Sequence, residues 1–390
     1  MSDYRSETHA ASALHWVDER SGSLCPPIVN STVFARDATY QLREQRGYSR
    51  DRNPTGEPAE ALLAKLEFGA EAMLFPSGMA AATAVFRTLT QPGDHVIAPT
   101  KGYFTLRGWL EKFAKQWQVE VQFVDTCNLN VLAAALRPGK TKLLWLESPA
   151  NPTWEITDIA AATELAHRAG AYVAVDNTAA SPVLTQPLKL GVDLVMHSAT
   201  KYLAGHGDLL AGALVTRALD EAWQGLRDYR YTDGACLGPQ EAWLLQRSMR
   251  TLFVRVEQAC KSAAVLADYL QRYTQLNVLY PGLPDAPGHA IAASQMRGGF
   301  GGMFSVRVGR NASQDPAQAT RRALAVLPHL RLFAKATSFG SVESLVEHRY
   351  TIEGSAGGSP PDLLRFSIGL ESVDDLKADL DAALQTAGIV

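Results

Sequence analysis

Residues 192–206 read VDLVMHSATKYLAGH. The first six form an apolar run that suits a strand buried on both faces, and it delivers His197, Ser198, Ala199, Thr200 and Lys201 in succession. In an open α/β sheet the C-terminal edge of the strands is where ligands bind. A lysine at that edge, flanked by two small hydroxyl residues, suits a covalent bond to an aldehyde while Ser198 and Thr200 turn to a phosphate. A surface lysine after a buried strand is the plainer reading of the tripeptide taken alone.

Two further stretches shift that balance. Asp176 also ends an apolar strand (YVAVDNT) and lies 25 residues before Lys201, about one strand–helix–strand unit. Both side chains then reach one edge of one sheet. Pyridoxal phosphate needs such a pair, a lysine for its aldehyde and a carboxylate for its pyridine nitrogen. Upstream, FPSGMAAA (75–82) sets Ser77 and Gly78 just before a strong helix former. Free N–H groups at a helix start bind anions, and glycine lets a phosphate come close. Alone, Asp176 would read as a strand-end cap and Ser77–Gly78 as an ordinary helix start.

Outward from these stretches, apolar strands alternate with helical patterns from about residue 57, the mark of an α/β fold with a mostly parallel sheet. The expected strands are His95–Pro99, Val119–Asp125, Lys142–Glu147, Ala171–Asp176, Val192–His197 and Gly212–Thr216. Helices are expected over Met79–Leu89, Thr105–Gln118 and Asp158–Arg168, the last capped by Thr157 and Gly170. A large domain is assigned to residues 57–245 and a smaller α+β domain to 246–390, led into by one long amphipathic stretch from Pro239 to about Tyr273. In the smaller domain strands are expected at Met303–Val308 and Leu364–Ile368, and helices near Pro316–Val326 and Val373–Leu384. Glu353–Pro361 (EGSAGGSPP) reads as a flexible loop. Residues 1–56, rich in Pro, Arg and Tyr, read as an irregular arm that packs on a neighbouring chain.

The chain has 390 residues, 46% hydrophobic and 20% charged, with 37 Lys+Arg against 40 Asp+Glu, for a net charge of −3. The signs are interleaved, which argues against nucleic acid or an anionic membrane as partner. The polar, mixed-charge opening and the lack of a long apolar run imply a cytoplasmic protein. Cys25, Cys127, Cys236 and Cys260 lack the spacing of zinc or redox sites and read as reduced thiols, so no metal is expected. Zinc-protease, nucleophile-elbow and phosphate-loop motifs are missing. The glycines of RGGFGG (297–302) precede a strand rather than a helix, which disfavours a dehydrogenase.

Five segments together resemble the pyridoxal-phosphate-dependent enzymes of cysteine and methionine metabolism, the group of cystathionine γ-synthase, the cystathionine lyases and methionine γ-lyase. They are YSRDRNPTGEPAEALLAKLE (48–67), PSGMAA (76–81), ESPANPT (147–153), residues 175–208 around HSATK, and LLRFSIGLESVDDLKADLDAAL (363–384). The resemblance implies a fold-type-I architecture: a mostly parallel seven-stranded sheet in the large domain and a smaller C-terminal α+β domain. It implies that Lys201 carries pyridoxal 5'-phosphate and that Asp176 pairs with the ring nitrogen. Ser77, Gly78, Met79, Ser198 and Thr200 would hold the phosphate, and Tyr103 would stack on the ring. Tyr48 and Arg50 would reach the phosphate of an adjacent subunit, making a homodimer the smallest active unit and a homotetramer plausible. Arg365 would clamp the substrate α-carboxylate, with Asn151 and Ser338 beside it. The activity implied is γ-elimination or γ-replacement on an L-amino acid with a heteroatom at Cγ; β-elimination of cystathionine or cysteine-type substrates is the alternative.

Two departures bear on substrate. Bulky Phe104 and Leu106 flank Tyr103 and Thr105 where family members commonly carry small residues. Thr337 precedes Ser338 where cystathionine-using relatives often have glutamate, and the threonine–histidine pair usually found after the family's HP gives way to His348-Arg349-Tyr350 and the flexible run. Cystathionine is therefore expected to be a poor substrate beside a homoserine ester or a methionine-like thioether.

Overall fold

The computed structural model describes residues 4–309 and 315–390, so the first three residues of the expected arm and residues 310–314 of the expected smaller domain lie outside the described residues. Seven strands form the larger sheet: β1 (Glu71–Phe75), β2 (His95–Pro99), β3 (Glu120–Val124), β4 (Thr141–Glu147), β5 (Tyr172–Asp176), β6 (Leu194–His197) and β7 (Gly212–Thr216). Their order is β1-β7-β6-β5-β4-β2-β3. The pairings β2–β3, β2–β4, β4–β5 and β5–β6 are parallel, and β7 runs antiparallel to both its neighbours.

The strands are apolar on both faces because both faces are covered. Leu144, Leu146, Val173, Val175 and Val195 join the core on one side, which holds helix Gly56–Glu67 and part of helix Leu252–Leu270. Leu143, Trp145, Ala174, Leu194 and Met196 join the core on the other, with helices Gly78–Leu89 and Phe104–Trp117. Residue alternation along a strand assigns successive side chains to opposite layers.

The second sheet contains β8 (Leu276–Leu279), β9 (Met303–Val308), β10 (Ala334–Lys335), β11 (Leu345–His348) and β12 (Leu363–Ser367), in the order β10-β11-β12-β9-β8. It packs its own core around Phe304, Phe333 and Phe366 with helices Pro316–Val326 and Val373–Thr386.

Several expectations need correction. β1 was not foreseen; it pairs with β7, and Phe75 lies opposite Gly212. The long stretch after Pro239 is two helices, Pro239–Met249 and Leu252–Leu270, parted at Arg250–Thr251. Asp158, not Thr157, caps helix Ile159–Arg168, accepting from Ala161 N at 3.0 Å, and Ala169 precedes Gly170 at its end. The run expected as a loose loop begins in a short helix, Arg349–Glu353, whose Glu353 is buried. The arm contains a helix, Ser6–Ser12, before an exposed stretch stapled by isolated bridges such as Val33 with Tyr48.

One close approach sets the helix start at the sheet edge. A Cβ on Gly212 would overlap the carbonyl of Ser77, the residue that caps helix Gly78–Leu89. Gly212→Ala should therefore lower stability by about 1–3 kcal/mol through forced backbone displacement, measured by urea unfolding; an unchanged midpoint would mean that the contact is slack.

Candidate active site

β4, β5 and β6 end side by side, and their ends carry the charged groups. The register sets Glu147 opposite Asp176. Beyond His197 the chain turns tightly, with Lys201 N bonded to Ser198 O and Gly205 N to Lys201 O, at 3.1 and 2.7 Å. This turn brings Lys201 back over the strand ends into a cavity of about 190 Å³. Ser77, Gly78, Met79, Tyr103, Asn151, Asp176, Ser198, Thr200, Thr337, Ser338 and Arg365, all singled out from the sequence, line the same cavity. Tyr48 and Arg50 do not: Arg50 lies over the rings of Tyr48 and Tyr231, with guanidinium-to-centroid distances of 5.3 and 4.7 Å.

Lys201 Nζ donates to Ser338 Oγ at 2.8 Å. Burial, with the Arg365 charge nearby, brings its pKa down to about 8, so an appreciable fraction of the amine is neutral near physiological pH. Asp176 accepts from Thr178 N at 2.9 Å, and burial raises its pKa. Thr178 Oγ1 in turn accepts from Ser198 N at 2.8 Å, which locks the two strand ends together. Burial and then the Asp176 charge push Glu147 up to about 8. Two carboxylates taken out of water together resist ionising together.

At the helix start Ser77 Oγ accepts from Ala80 N at 3.1 Å. A Cβ on Gly78 would come within 2.7 Å of the Ser198 Cβ, so glycine is what lets the helix start pack closely against Ser198. Thr200 Oγ1 donates to Ala211 O and accepts from Ala211 N, at 3.1 and 3.0 Å, so its hydroxyl also holds the neighbouring loop in place.

The opposite end of the cavity is an ionic cluster that sequence reasoning missed. Arg365 donates to Asn151 Oδ1 at 3.0 Å, to Ser338 O at 2.9 Å, and to Glu347. Burial lowers its pKa to about 10. Glu347 also accepts from Arg349 at 3.0 Å and from Thr337 Oγ1 at 2.6 Å. Arg349 pairs on its other side with Glu353, to which Ser359 donates at 2.6 Å. Thr337 thus spends its hydroxyl on Glu347 and does not present it free to a substrate. The only sequence signal for Glu347 was its place before the altered His348-Arg349 pair.

The family of Cys/Met metabolism PLP-dependent enzymes matches residues 7–385. Cystathionine gamma-synthase of Mycobacterium tuberculosis is 43% identical, with 97% of this chain and 96% of that protein covered. L-methionine gamma-lyase of Pseudomonas putida is 39% identical, over 95% of this chain and 94% of its own. The crystal structure of cystathionine gamma-synthase from Xanthomonas oryzae in complex with cystathionine superposes with a TM-score of 0.91 at 36% identity, covering 99% of both chains. The fold is accordingly that of fold-type-I pyridoxal phosphate enzymes.

The residues fit that cofactor. A depressed-pKa lysine faces the cavity, a buried carboxylate at the next strand end favours a cationic ring nitrogen, and the cavity reaches Ser77, Gly78 and Met79 at the N-terminus of a helix, a setting that suits a phosphate. In the cofactor-free protein, aldehyde capture at Lys201 should rise with pH to half its maximum near 8, whereas a lysine at its usual 10.5 would still be almost wholly protonated there. Borohydride trapping followed by peptide mapping checks this; a half-point above 10 would contradict it.

Proposed function

Because the chain belongs to the Cys/Met metabolism PLP-dependent enzymes, we propose that it catalyses γ-elimination or γ-replacement on an L-amino acid bearing a heteroatom leaving group at Cγ. The observation that carries this reading is the convergence of the Lys201 amine, the Asp176 carboxylate and the Arg365 guanidinium on one cavity. When bound, the cofactor supplies an electron-withdrawing ring that accepts the electrons left by a departing proton. Asp176 holds the proton of the ring nitrogen. Arg365, oriented by Asn151, binds the substrate α-carboxylate. Lys201 Nζ, steadied by Ser338 Oγ, takes the Cα proton and then serves Cβ, which a γ-leaving group requires. Tyr103, a partly exposed residue on the cavity wall, would stack on the cofactor ring and could return a proton to the leaving atom. The relatives reported above are named for γ-chemistry, which favours it over β-elimination.

A homo-oligomer with shared sites belongs to the same proposal, a dimer at least and a tetramer in full. Both arginines lining the cavity, Arg349 and Arg365, are bound to Glu347 at the substrate end. The end at Ser77 and Gly78 therefore needs a cation from elsewhere, and Arg50 of a second copy supplies one. Exposed Val33, Tyr40, Leu42 and Tyr48 on the arm suit burial against that copy. The interleaved surface charge fits a cytoplasmic enzyme with a small-molecule amino-acid substrate.

Two measurements test these readings. Mixing inactive Lys201→Ala with inactive Arg50→Ala protein should restore activity, because a hybrid dimer has one site with both residues intact; no recovery despite proven subunit exchange would refute sharing. Among substrates, homoserine esters and thioethers should exceed cystathionine in kcat/KM by roughly tenfold to a hundredfold, the value of one charge-assisted contact of about 1.5–3 kcal/mol to a distal ammonium. The assay is 2-oxo acid release or thioether formation in the wild type, and a strong preference for cystathionine would sink the argument from Thr337. Thr337→Glu alone is a poor probe, since it would force a second carboxylate against Glu347.

A further inference from the structure

We propose that Glu147 is a positioning residue, whose side chain ties the turn carrying Tyr103 and the turn carrying Asn151 to the strand end beside Asp176. The two turns follow different strands, β2 and β4. Glu147 Oε2 accepts from Tyr103 N at 2.7 Å, and Oε1 accepts from Asn151 N at 3.1 Å. A carboxylate matches this task because both of its oxygens accept and neither repels an N–H.

The first contact replaces something that the sequence leaves out. Tyr103 precedes helix Phe104–Trp117, and its own side chain makes no capping bond. Glu147 reaches across from β4 and satisfies that backbone donor instead. The approach is close enough that a Cβ on Gly102 would lie 2.8 Å from Glu147 Oε2. The second contact continues inward, since Asn151 Oδ1 accepts from Arg365 Nη1 at 3.0 Å. Tyr103, Glu147, Asn151 and Arg365 therefore form one hydrogen-bonded chain from the cavity mouth to its floor.

This arrangement is retained at an electrostatic cost. Glu147 is buried beside Asp176, in register with it on the adjacent strand. A residue needed only to fill space there would be apolar, as Leu146 and Val175 are one position earlier on the same strands. The inference rests on the proposed function only where turnover is read.

Hydrogen exchange of the full chain, with and without cofactor, tests it directly. Glu147→Ala should speed exchange about tenfold or more in both segments, 100–106 and 148–153, while the strands of the large sheet keep their protection. Glu147→Gln retains one acceptor oxygen, so only one of the two segments should speed up. In the cofactor-loaded protein Glu147→Ala should raise KM at least tenfold, through Asn151 and Arg365, and weaken the visible circular dichroism that Tyr103 induces. Gly102→Ala, which leaves the Asn151 contact in place, should weaken that signal with KM changed less than threefold. Unchanged exchange in both segments of both Glu147 variants, or exchange raised uniformly across the large sheet, overturns the proposal. If Glu147→Ala fails to fold, the glutamine variant decides alone, and equal acceleration of both segments, or of neither, counts against it. Exchange needs no substrate, so its failure would leave the proposed reaction standing.

Discussion

The parallel register of β4 and β5 sets Glu147 against Asp176, and most of the site's chemistry follows from placing those two carboxylates together out of water. Burial raises the pKa of both, the Asp176 charge raises that of Glu147 further, and the nearby Lys201 amine is itself pushed toward neutrality by burial. A cavity prepared in this way favours a ligand that brings a cationic nitrogen to one wall and a reactive carbonyl to the other. The two-sided hydrophobic covering of the sheet makes such burial affordable, because the layers around Leu146, Val175 and Val195 exclude water from below the strand ends.

Reading outward from Lys201 finds residues that the structure brings to one cavity, from Ser77 and Gly78 to Asp176, Ser198 and Thr200, for a physical reason. Strand ends, a helix start and the glycine beside it are local features, each announced by an apolar run followed by polar residues. The same signal was present in KLLWLE, where Glu147 ends an apolar run just as Asp176 ends YVAVD. A ring nitrogen needs only one carboxylate, so a second one at the neighbouring strand end carries no separate signal.

The second sheet was less legible. β11 carries Glu347 and His348, both buried, in a strand of two apolar then two polar residues (LVEH) whose pattern does not reveal that the polar pair is buried. Glu347 is paired by Arg349 two residues on and by Arg365 of β12, in register opposite it, and His348 bonds to Thr351 Oγ1 and the Pro361 carbonyl. A strand made acceptable by partners on other segments leaves little local trace. β8, four residues long, and β10, two, offer too short a period to detect. The single amphipathic pattern after Pro239 misled for the opposite reason: apolar spacing persists across Arg250–Thr251 although the helices are separate there.

Of the places where the sequence departs from the pattern it resembles, those at Thr337 and Arg349 are, in three dimensions, one place. Thr337 and Arg349 both bond to Glu347, which also holds Arg365. Truncating Glu347 would leave the buried Arg365 guanidinium to the neutral acceptors Asn151 Oδ1 and Ser338 O, while Arg349 keeps Glu353, and losing one member of a buried pair costs about 3–5 kcal/mol. Thr337 and Arg349 are thus not independent substitutions to be interpreted one by one. A glutamate at 337 would crowd Glu347, and a proline at 349 would leave Glu353 without its cation. The charge at this end of the cavity is therefore set jointly by the two glutamates and two arginines rather than by Thr337 alone.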